Sequence, residues 1–486
     1  MFITYIGDDF MNESIWLKDA NFSSFNEIDK DLTSEILVIG GGITGLSCCY
    51  FLQGKDIILV DKGTIGFGVS AYSTGKLTYL QDSLVKGSIE KEDVYLKSQL
   101  EALKIIKDII TKEKINCNLE PNSSFLFATS EKEIKDIKKI EKILKRNNIL
   151  YNVVENKDIP NNIYSIEVRD TFVFNPHKYL TGLKDVVKNK IKIYENSLAT
   201  DIDFKDGYYY TNVNNNVIKS KIVIVATHYP FLISLGLIPF KTTVEKSYLL
   251  ASLVDKNKMF NAISQIGDYS VRYYTDDGNY EIYCSHSKSI SKMIDSKSEE
   301  DKFSLEYQSK YHKKPIYKWS NIDVISPDYI PFSGKLDDNL YIATGYSTWG
   351  FLNGTISAKI ISDSILNIKN EYSDTFNPTR MSNFFKYTAN SFSNGTSFIL
   401  SKLVKNQPFY NDDVTVFKKD GIWYGKYVDS SGDAHIVYNK CPHMKCSLIF
   451  NYTDKTWDCP CHSSKFDIDG NLVHGPSATN IKVKKE

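Results

Sequence analysis

The chain has 486 residues, of which 42% are hydrophobic and 24% are charged, and its 59 basic residues balance its 59 acidic residues. This length predicts two or more domains with substantial cores, and it excludes a peptide hormone or a small disulfide scaffold. A net charge of zero gives no indication of a nucleic-acid partner or of a polybasic membrane anchor.

The N-terminal segment MFITYIGDDFMNESIW carries acids instead of a basic region before an apolar core. It therefore does not have the pattern of a secretory or twin-arginine signal, and a cytoplasmic location is expected. Met1 and Met11 are both candidate starts. The uncharged stretch 36–54 has the length of a membrane span, but Gly40, Gly42 and Gly45 interrupt it, so we expect no span.

The first chemical motif follows an apolar strand pattern at 35–39. Gly40-Gly41-Gly42-Ile43-Thr44-Gly45 is a G-x-G-x-x-G sequence that opens a helix, and a second strand then ends at Asp61. The glycines allow a tight turn and close approach of a pyrophosphate to the helix N-terminus, and the acid is placed to bind the adenosine ribose. This pattern predicts a dinucleotide site and leaves FAD and NAD open.

Two further segments resemble the D-amino-acid-oxidase-like flavoprotein superfamily. One is the hydroxyl-rich stretch 62–76; the other runs from Trp319 through the strand 340–344 and the loop 345–351 into a helix. A strand at 222–227 is similar to the one that passes the FAD in that superfamily. The resemblance implies FAD bound by Gly40, Gly42, Gly45, Asp61, Lys62, Ser70, Thr74, Ala226, Gly345, Trp349 and Gly350.

The middle of the chain is where substrate specificity is expected. Helices are predicted over 89–115 and from a capping box at 130–133, and strand patterns over 160–315 predict a sheet that covers the flavin. Arg272 lies on one of these strands as a candidate for a substrate carboxylate, with a surface arginine as the favoured alternative. No catalytic residue can be named, and His177, His228 and His286 are expected to be structural.

Near the C-terminus four cysteines fall within 21 residues, in a C-x-H motif at Cys441 and a C-P-C-H motif at Cys459. A zinc knuckle and a metal-free fold are the alternatives for such a density of Cys and His. The pattern resembles the Rieske family, in which two Cys and two His bind a 2Fe-2S cluster. That resemblance implies Cys441, His443, Cys459 and His462 as ligands and a disulfide between Cys446 and Cys461.

Two details refine the resemblance. The sequence 475–478 is similar to the proline loop that covers the Rieske cluster. Ser464 matches the serine of high-potential members, whereas Phe466 replaces their tyrosine, and the loss of one hydrogen bond to a ligand sulfur predicts a lower potential. Short strands at 414–417, 422–428 and 435–438 predict a small β domain.

The expected fold is therefore an α/β FAD-binding Rossmann-like domain with an inserted α+β substrate domain, followed by a small all-β Rieske domain. The expected bounds are 1–372 for the flavoprotein, with nucleotide-binding parts at about 34–85, 195–235 and 325–370 and a substrate-covering part largely at 90–320. A helical linker is predicted over 373–403 and the Rieske domain over 404–486.

The expected function is oxidation of a small amine or amino-acid-like substrate by FAD, with electrons passed through the Rieske cluster to an acceptor. Only one nucleotide fingerprint lies between a strand and a helix, so the electrons are expected to come from a bound organic substrate instead of NAD(P)H. The alternatives are an oxygen-using flavin oxidase with a structural or redox-sensing cluster, and a non-enzymatic electron carrier. The sequence does not identify the substrate, the acceptor, the cluster potential or the oligomeric state.

Overall fold

The computed structural model describes residues 14–18, 24–86, 91–232, 235–236, 238–256, 258–264, 269–285, 287–289, 296–380, 409–410, 413–443, 445–452, 455–461, 464–475, 477 and 479–483. His462, His286 and the linker residues 381–403 lie outside them, so the predictions made for these residues are not addressed. In the described part of the chain, no helix has the length and apolar character needed to cross a membrane.

The secondary structure alternates between strands and helices in the first two thirds of the chain and is made of strands alone at its end. The strands are β1 Leu32–Ile39, β2 Ile57–Val60, β3 Lys76–Leu77, β4 Glu120–Ala128, β5 Asn152–Val153, β6 Tyr164–Val173, β7 Lys192–Tyr194, β8 Ala199–Lys205, β9 Tyr208–Val213, β10 Asn216–Val225, β11 Thr243–Leu253, β12 Phe260–Ser264, β13 Ser270–Thr275, β14 Asn279–Cys284, β15 Lys288–Ser289, β16 Tyr317–Ile325, β17 Phe332–Asp337, β18 Leu340–Thr344, β19 Phe409–Tyr410, β20 Val414–Lys419, β21 Ile422–Val428, β22 Ala434–Tyr438, β23 Ile449–Asn451, β24 Thr456–Asp458, β25 Lys465–Asp467 and β26 Leu472–His474. The helices are α1 Ile43–Phe51, α2 Ser83–Lys86, α3 Glu92–Glu113, α4 Glu131–Arg146, α5 Pro176–Val187, α6 Ile238–Lys241, α7 Ser296–Tyr311, α8 Gly350–Ile365 and α9 Ser373–Phe376, with short 3₁₀ helices at Ile15–Leu17 and Gly68–Tyr72.

A largely parallel sheet forms the nucleotide-binding half. Among the described residues its order is β17-β18-β10-β1-β2-β7, with β1, β2, β7, β10 and β18 parallel and the β8–β9 hairpin added at β10. Strand β2 is buried throughout, as expected for a parallel strand covered on both faces. Helices α1 and α8 pack together on one face, which brings the two predicted cofactor segments next to each other. The strand predicted at 222–227 is the end of β10.

A second sheet covers the first and is mostly antiparallel. In the described residues its order is β15-β11-β14-β13-β12-β4-β6-β3, with β16 paired to β11 and β5 paired to β6. This confirms the sheet predicted over 160–315, while α3 and α4 match the helices predicted around 89–115 and after 130. The chain therefore has the expected inserted α+β layer above the nucleotide sheet.

Arg272 is a correction to the sequence analysis, which favoured a surface position. Its side chain is buried, with 1% exposure, and its guanidinium donates to the carbonyls of Thr74 at 3.0 Å, Gly75 at 2.7 Å and Phe174 at 2.8 Å. The ring of Trp16 lies 5.1 Å from its guanidinium carbon. These contacts tie the strand that carries Arg272 to the segments around Thr74 and Phe174.

The C-terminal domain is all β. Its described strands form two four-stranded sheets, β19–β22 and β23–β26, which confirms the small β domain. Their common core holds Trp457 and Phe466, both fully buried. A Cβ added at Gly425 would lie 2.4 Å from the Trp457 ring, so the first sheet needs a glycine where the second packs on it.

Candidate active site and metal centre

A cavity of about 670 Å³ lies at the carboxyl ends of the parallel strands. Ile39 at the end of β1, Val60 at the end of β2 and Ala226 just after β10 line it. Ligands bind at this edge of open α/β sheets because the loops after neighbouring strands diverge there. Seven of the residues predicted to bind FAD line the cavity, namely Gly40, Gly42, Asp61, Lys62, Ser70, Ala226 and Gly350.

The glycine turn has no room for side chains. Gly40 has a φ of +105°, and a Cβ there would lie 2.5 Å from the Ala226 carbonyl oxygen. A Cβ at Gly45 would lie 1.9 Å from the carbonyl oxygen of Gly40. Helix α1 begins at Ile43 directly after this turn, so its positive end borders the cavity. The cradle fits the pyrophosphate of a dinucleotide.

Asp61 and Lys62 follow β2 at the same edge. The Asp61 carboxylate accepts hydrogen bonds from the backbone N–H of Gly41 at 2.7 Å and of Gly63 at 2.8 Å. The Lys62 ammonium is buried without a hydrogen-bond partner among the described residues, and burial lowers its pKa to about 8, against the opposing effect of Asp61. A buried amino group without an acceptor fits a ligand that supplies oxygen atoms.

The other cofactor segment reaches the cavity through the loop before α8. Ser347 and Thr348 both have left-handed backbone angles, with φ of 49° and 73°, and Thr348 lines the cavity beside Gly350. A β-branched residue in this region is strained, and such strain concentrates at ligand sites. The N-terminus of α8 is therefore held at the cavity, where its dipole favours negative charge.

The four remaining residues of the predicted FAD set contact other parts of the chain. Gly45 packs against Gly40, and the Thr74 carbonyl accepts from Arg272. Gly345 has a φ of +77° at the end of β18. The Trp349 indole N–H donates to the Asp82 carboxylate at 3.1 Å, which fixes the start of α8. These four are absent from the described cavity lining.

Several further cavity residues were not predicted to bind a ligand, and one of them, His228, was expected to be structural. Tyr72, His228, Tyr229 and Asp323 line the cavity, and burial lowers the pKa of His228 to about 4. Burial and the nearby Glu245 raise the pKa of Asp323 to about 7. In the sequence, Asp323 lies in the segment from Trp319 that resembles the flavoprotein superfamily, and its place on a strand does not by itself show which face is turned to a ligand.

The cysteine cluster forms a second, separate site. Cys441 and Cys459 are buried and are not part of a disulfide, while Cys446 and Cys461 form the expected disulfide. The sulfur of Cys459 lies within 4.8 Å of both disulfide sulfurs. Burial lowers the pKa of His443 to about 4, which keeps its imidazole neutral, as a metal ligand must be. Two buried thiols and a neutral imidazole fit a Rieske cluster.

Strands β24 to β26 of the C-terminal domain and the loop after them also border the first cavity. Its lining includes residues of the C-terminal domain, namely Thr456, Lys465, Leu472, Val473, Gly475, Ser477 and Asn480. The Ser477 N–H donates to the Ser464 hydroxyl at 2.9 Å, which ties the predicted proline loop to β25. Tyr229 of the first domain is close enough to Cys459 for the two to interact electrostatically. One cavity is thus shared by both domains.

Comparison with protein families gives two matches. Residues 35–364 match the DAO family, described as FAD dependent oxidoreductase, and residues 401–485 match the Rieske [2Fe-2S] domain. The protein YhfW of Bacillus subtilis (strain 168), named as a Rieske 2Fe-2S iron-sulfur protein, is 26% identical over 97% of each chain. Gamma-glutamylputrescine oxidoreductase of Escherichia coli (strain K12) is 22% identical over 72% of this chain and 88% of its own.

Solved structures with a similar fold include a glycine oxidase and an L-proline dehydrogenase. Glycine oxidase from Geobacillus kaustophilus has a TM-score of 0.61 at 14% identity, covering 72% of this chain and 99% of its own. L-proline dehydrogenase from P. horikoshii has a TM-score of 0.62 at 15% identity, covering 75% and 99%. At these identities the likeness is one of fold.

Proposed function

The chain belongs to the DAO family of FAD-dependent oxidoreductases and carries a C-terminal Rieske 2Fe-2S domain, and from this premise we propose that it is a dehydrogenase that sends substrate electrons through the cluster to an acceptor. Bound FAD would accept two electrons from a C–N bond of a small amine or amino-acid-like substrate, and the cluster would release them singly. The acceptor is a separate redox partner.

The shared cavity carries this proposal. Gly475 and Ser477, on either side of Pro476 in the loop predicted to cover the cluster, line the same cavity as Gly40 and Asp61 of the dinucleotide cradle. A Cβ at Gly475 would lie only 4.0 Å from the Lys62 ammonium nitrogen. Helix α7 of the covering layer also packs against β23 of the Rieske domain. An arrangement in which one redox site borders the other favours transfer between them within one chain.

We assign the cofactors to the residues predicted from the sequence. In the FAD site, Asp61 would hold the ribose, Lys62 would meet an oxygen-bearing group, and the ends of α1 and α8 would supply N–H groups. The FAD residues are Gly40, Gly42, Gly45, Asp61, Lys62, Ser70, Thr74, Ala226, Gly345, Trp349 and Gly350. The cluster ligands are Cys441, His443, Cys459 and His462. The predicted domain bounds of 1–372, 373–403 and 404–486 belong to the same proposal.

The experiment is anaerobic reduction of the holoenzyme. Amines, N-methylated amino acids and amino acids are screened for bleaching of the flavin absorbance, and each sample that bleaches is frozen for electron paramagnetic resonance. We expect the rhombic signal of a reduced Rieske cluster to appear after flavin reduction. Dithionite-treated enzyme, in which both groups are reduced chemically, is the control that the cluster is intact.

A Cys459→Ser variant separates this proposal from an oxidase with a structural cluster. The variant should lose the cluster and keep FAD, so substrate still bleaches the flavin while reduction of an added one-electron acceptor is lost. An oxidase would instead keep oxygen-linked turnover unchanged in the variant. A cluster that stays oxidised in wild-type enzyme while the flavin is fully reduced would contradict the transfer route.

A further inference from the structure

Strand β26 and the segment after it form the outer wall of the cavity that also contains the dinucleotide cradle. Five of their residues line this cavity, namely Leu472, Val473, Gly475, Ser477 and Asn480. The Val473 side chain is 52% exposed, and Leu472 precedes it on the same strand. Because ligand sites are lined mainly by apolar side chains, these two residues are placed to contact a ligand bound in the cavity.

The outer wall lies next to the predicted adenosine end of the FAD site. A Cβ at Gly475 would lie 4.0 Å from the Lys62 ammonium nitrogen. Lys62 directly follows Asp61, the acid that is predicted to bind the adenosine ribose. Val473 precedes Gly475 by two residues, which span about 7 Å of extended chain. The apolar part of the outer wall is therefore close to the adenosine end as well.

The electrostatics of the outer wall suit a dinucleotide. Its five residues carry no charged side chain, so they do not repel a pyrophosphate. The Lys62 ammonium next to the wall is buried and has no hydrogen-bond partner among the described residues. Attraction between opposite charges is stronger where water is excluded. By keeping water from Lys62, the outer wall would strengthen the attraction between this ammonium group and the phosphates of FAD.

The outer wall is held in place by the C-terminal domain itself. The Asn480 side chain accepts a hydrogen bond from the Leu472 N–H at 2.9 Å. The Ile481 N–H donates to the Gly470 carbonyl at 2.8 Å, and the Ile481 carbonyl accepts from the Tyr438 N–H at 3.0 Å. None of these three bonds involves a cysteine, so a loss of the cluster should leave the outer wall in position.

We propose that the C-terminal domain is part of the FAD site: its outer wall covers the adenosine end of the cofactor, and Val473 packs against bound FAD. The domain then has two roles, because it carries the cluster and also retains the flavin cofactor. This inference goes beyond the proposed function, since it concerns the binding of FAD and not the route that electrons take from it.

The test measures how fast FAD leaves the full-length holoenzyme. Holoenzyme is diluted in the absence of substrate, and release is followed by the rise in flavin fluorescence. Val473→Ala should release FAD about 3- to 10-fold faster, because it removes two methyl groups that FAD partly buries. Val473→Glu should release FAD faster still, because it places an unpaired charge against the bound cofactor.

Ile436 provides the matched controls. It lies on β22 of the same domain and is 44% exposed, and it is not among the described residues that line the cavity. Ile436→Ala and Ile436→Glu should therefore release FAD at the wild-type rate. The visible circular dichroism of the cluster reports that the C-terminal domain of each variant is folded.

A Val473→Ala release rate equal to that of the wild type would overturn the proposal, whatever the other variants do. Equal acceleration in the Ile436 variants would also overturn it, because the cause would then be a general loss of stability and not a contact with FAD. The assay contains no substrate, so release that depends on Val473 supports this inference even if the cluster stays oxidised when substrate reduces the flavin.

Discussion

The two proposed cofactor sites of this protein are built from different parts of the chain. The FAD cradle is made of backbone: Gly40 and Gly45 bring main-chain atoms together where no Cβ fits. The cluster site is made of side chains, with the thiols of Cys441 and Cys459 buried beside a disulfide. The first site is therefore sensitive to atoms that are added, and the second to atoms that are removed.

This difference predicts which substitutions separate the two cofactors. A larger residue in the glycine turn should remove FAD and leave the cluster. Loss of a sulfur should damage the cluster and leave FAD. Because the two domains share a cavity, an effect that crosses from one cofactor to the other would mean that the sites depend on each other for folding as well as for electron transfer.

The largest effect is expected from Gly45→Ala. The added Cβ would meet the Gly40 carbonyl oxygen at 1.9 Å, a backbone atom that cannot move without opening the turn. Strain of this size exceeds the roughly 1–3 kcal/mol of ordinary overpacking. We expect purified protein without FAD, measured by flavin absorbance after denaturation, and with the Rieske visible spectrum retained.

Gly54→Ala is the control for that substitution. Gly54 has a φ of +96° but has no heavy atom within 4 Å of the position of a Cβ. The substitution carries only the strain of a left-handed residue, about 1–2 kcal/mol. FAD content should stay at the wild-type value; a loss equal to that of Gly45→Ala would show that the clash is not the cause.

The next largest effect is expected from Arg272→Met. It tests how strongly a buried side chain stabilises the fold, in comparison with the glycine turn. Methionine leaves the carbonyls of Thr74, Gly75 and Phe174 without their donor, at a cost of about 3–5 kcal/mol. The midpoint of chemical unfolding should fall, as followed by tryptophan fluorescence. Replacing the exposed Arg169 by Met should change the free energy of unfolding by less than about 0.5 kcal/mol. Equal changes for the two variants would contradict the structural role of Arg272.

The contrast between local motifs and contacts of distant segments explains what the sequence predicts and what it does not. The glycine turn and the cysteine motifs are local, so spacing along the chain predicted a dinucleotide site, and the family resemblances that these motifs carry implied FAD, the cluster and the disulfide. Arg272 was placed wrongly, because its burial comes from segments near 75 and 174 that only the fold brings together. Asp323 and Glu245 become neighbours through strand register, and a single sequence does not give the register of distant strands.

A third prediction concerns the disulfide that joins the cluster loops. Cys446 and Cys461 are separated by 15 residues, and closing a loop of that length stabilises a fold by about 3 kcal/mol. The double variant Cys446→Ser and Cys461→Ser should therefore lose its cluster faster on warming, measured by the decay of the visible circular dichroism. FAD release should not change. A cluster decay rate equal to that of the wild type would show that core packing alone holds the loops.

The smallest effect is expected at His435, which joins two strand ends of the Rieske domain through side chains. Its Nδ1 lies 2.8 Å from Asp469 and its Nε2 lies 3.4 Å from Asp429. Burial alone would lower the His435 pKa, but hydrogen bonds to the two carboxylates outweigh it, so the pKa is raised above the ordinary value near 6.5. The folded state therefore binds a proton more tightly than the unfolded state. The resulting stabilisation is complete below about pH 6.5 and is lost as the pH rises through the folded-state pKa.

His435→Gln should lower the melting temperature of the cluster signal by about 3 °C at pH 6. The variant and the wild type should converge near pH 9. A difference of the same size at both values would mean that the imidazole acts by packing and not by charge.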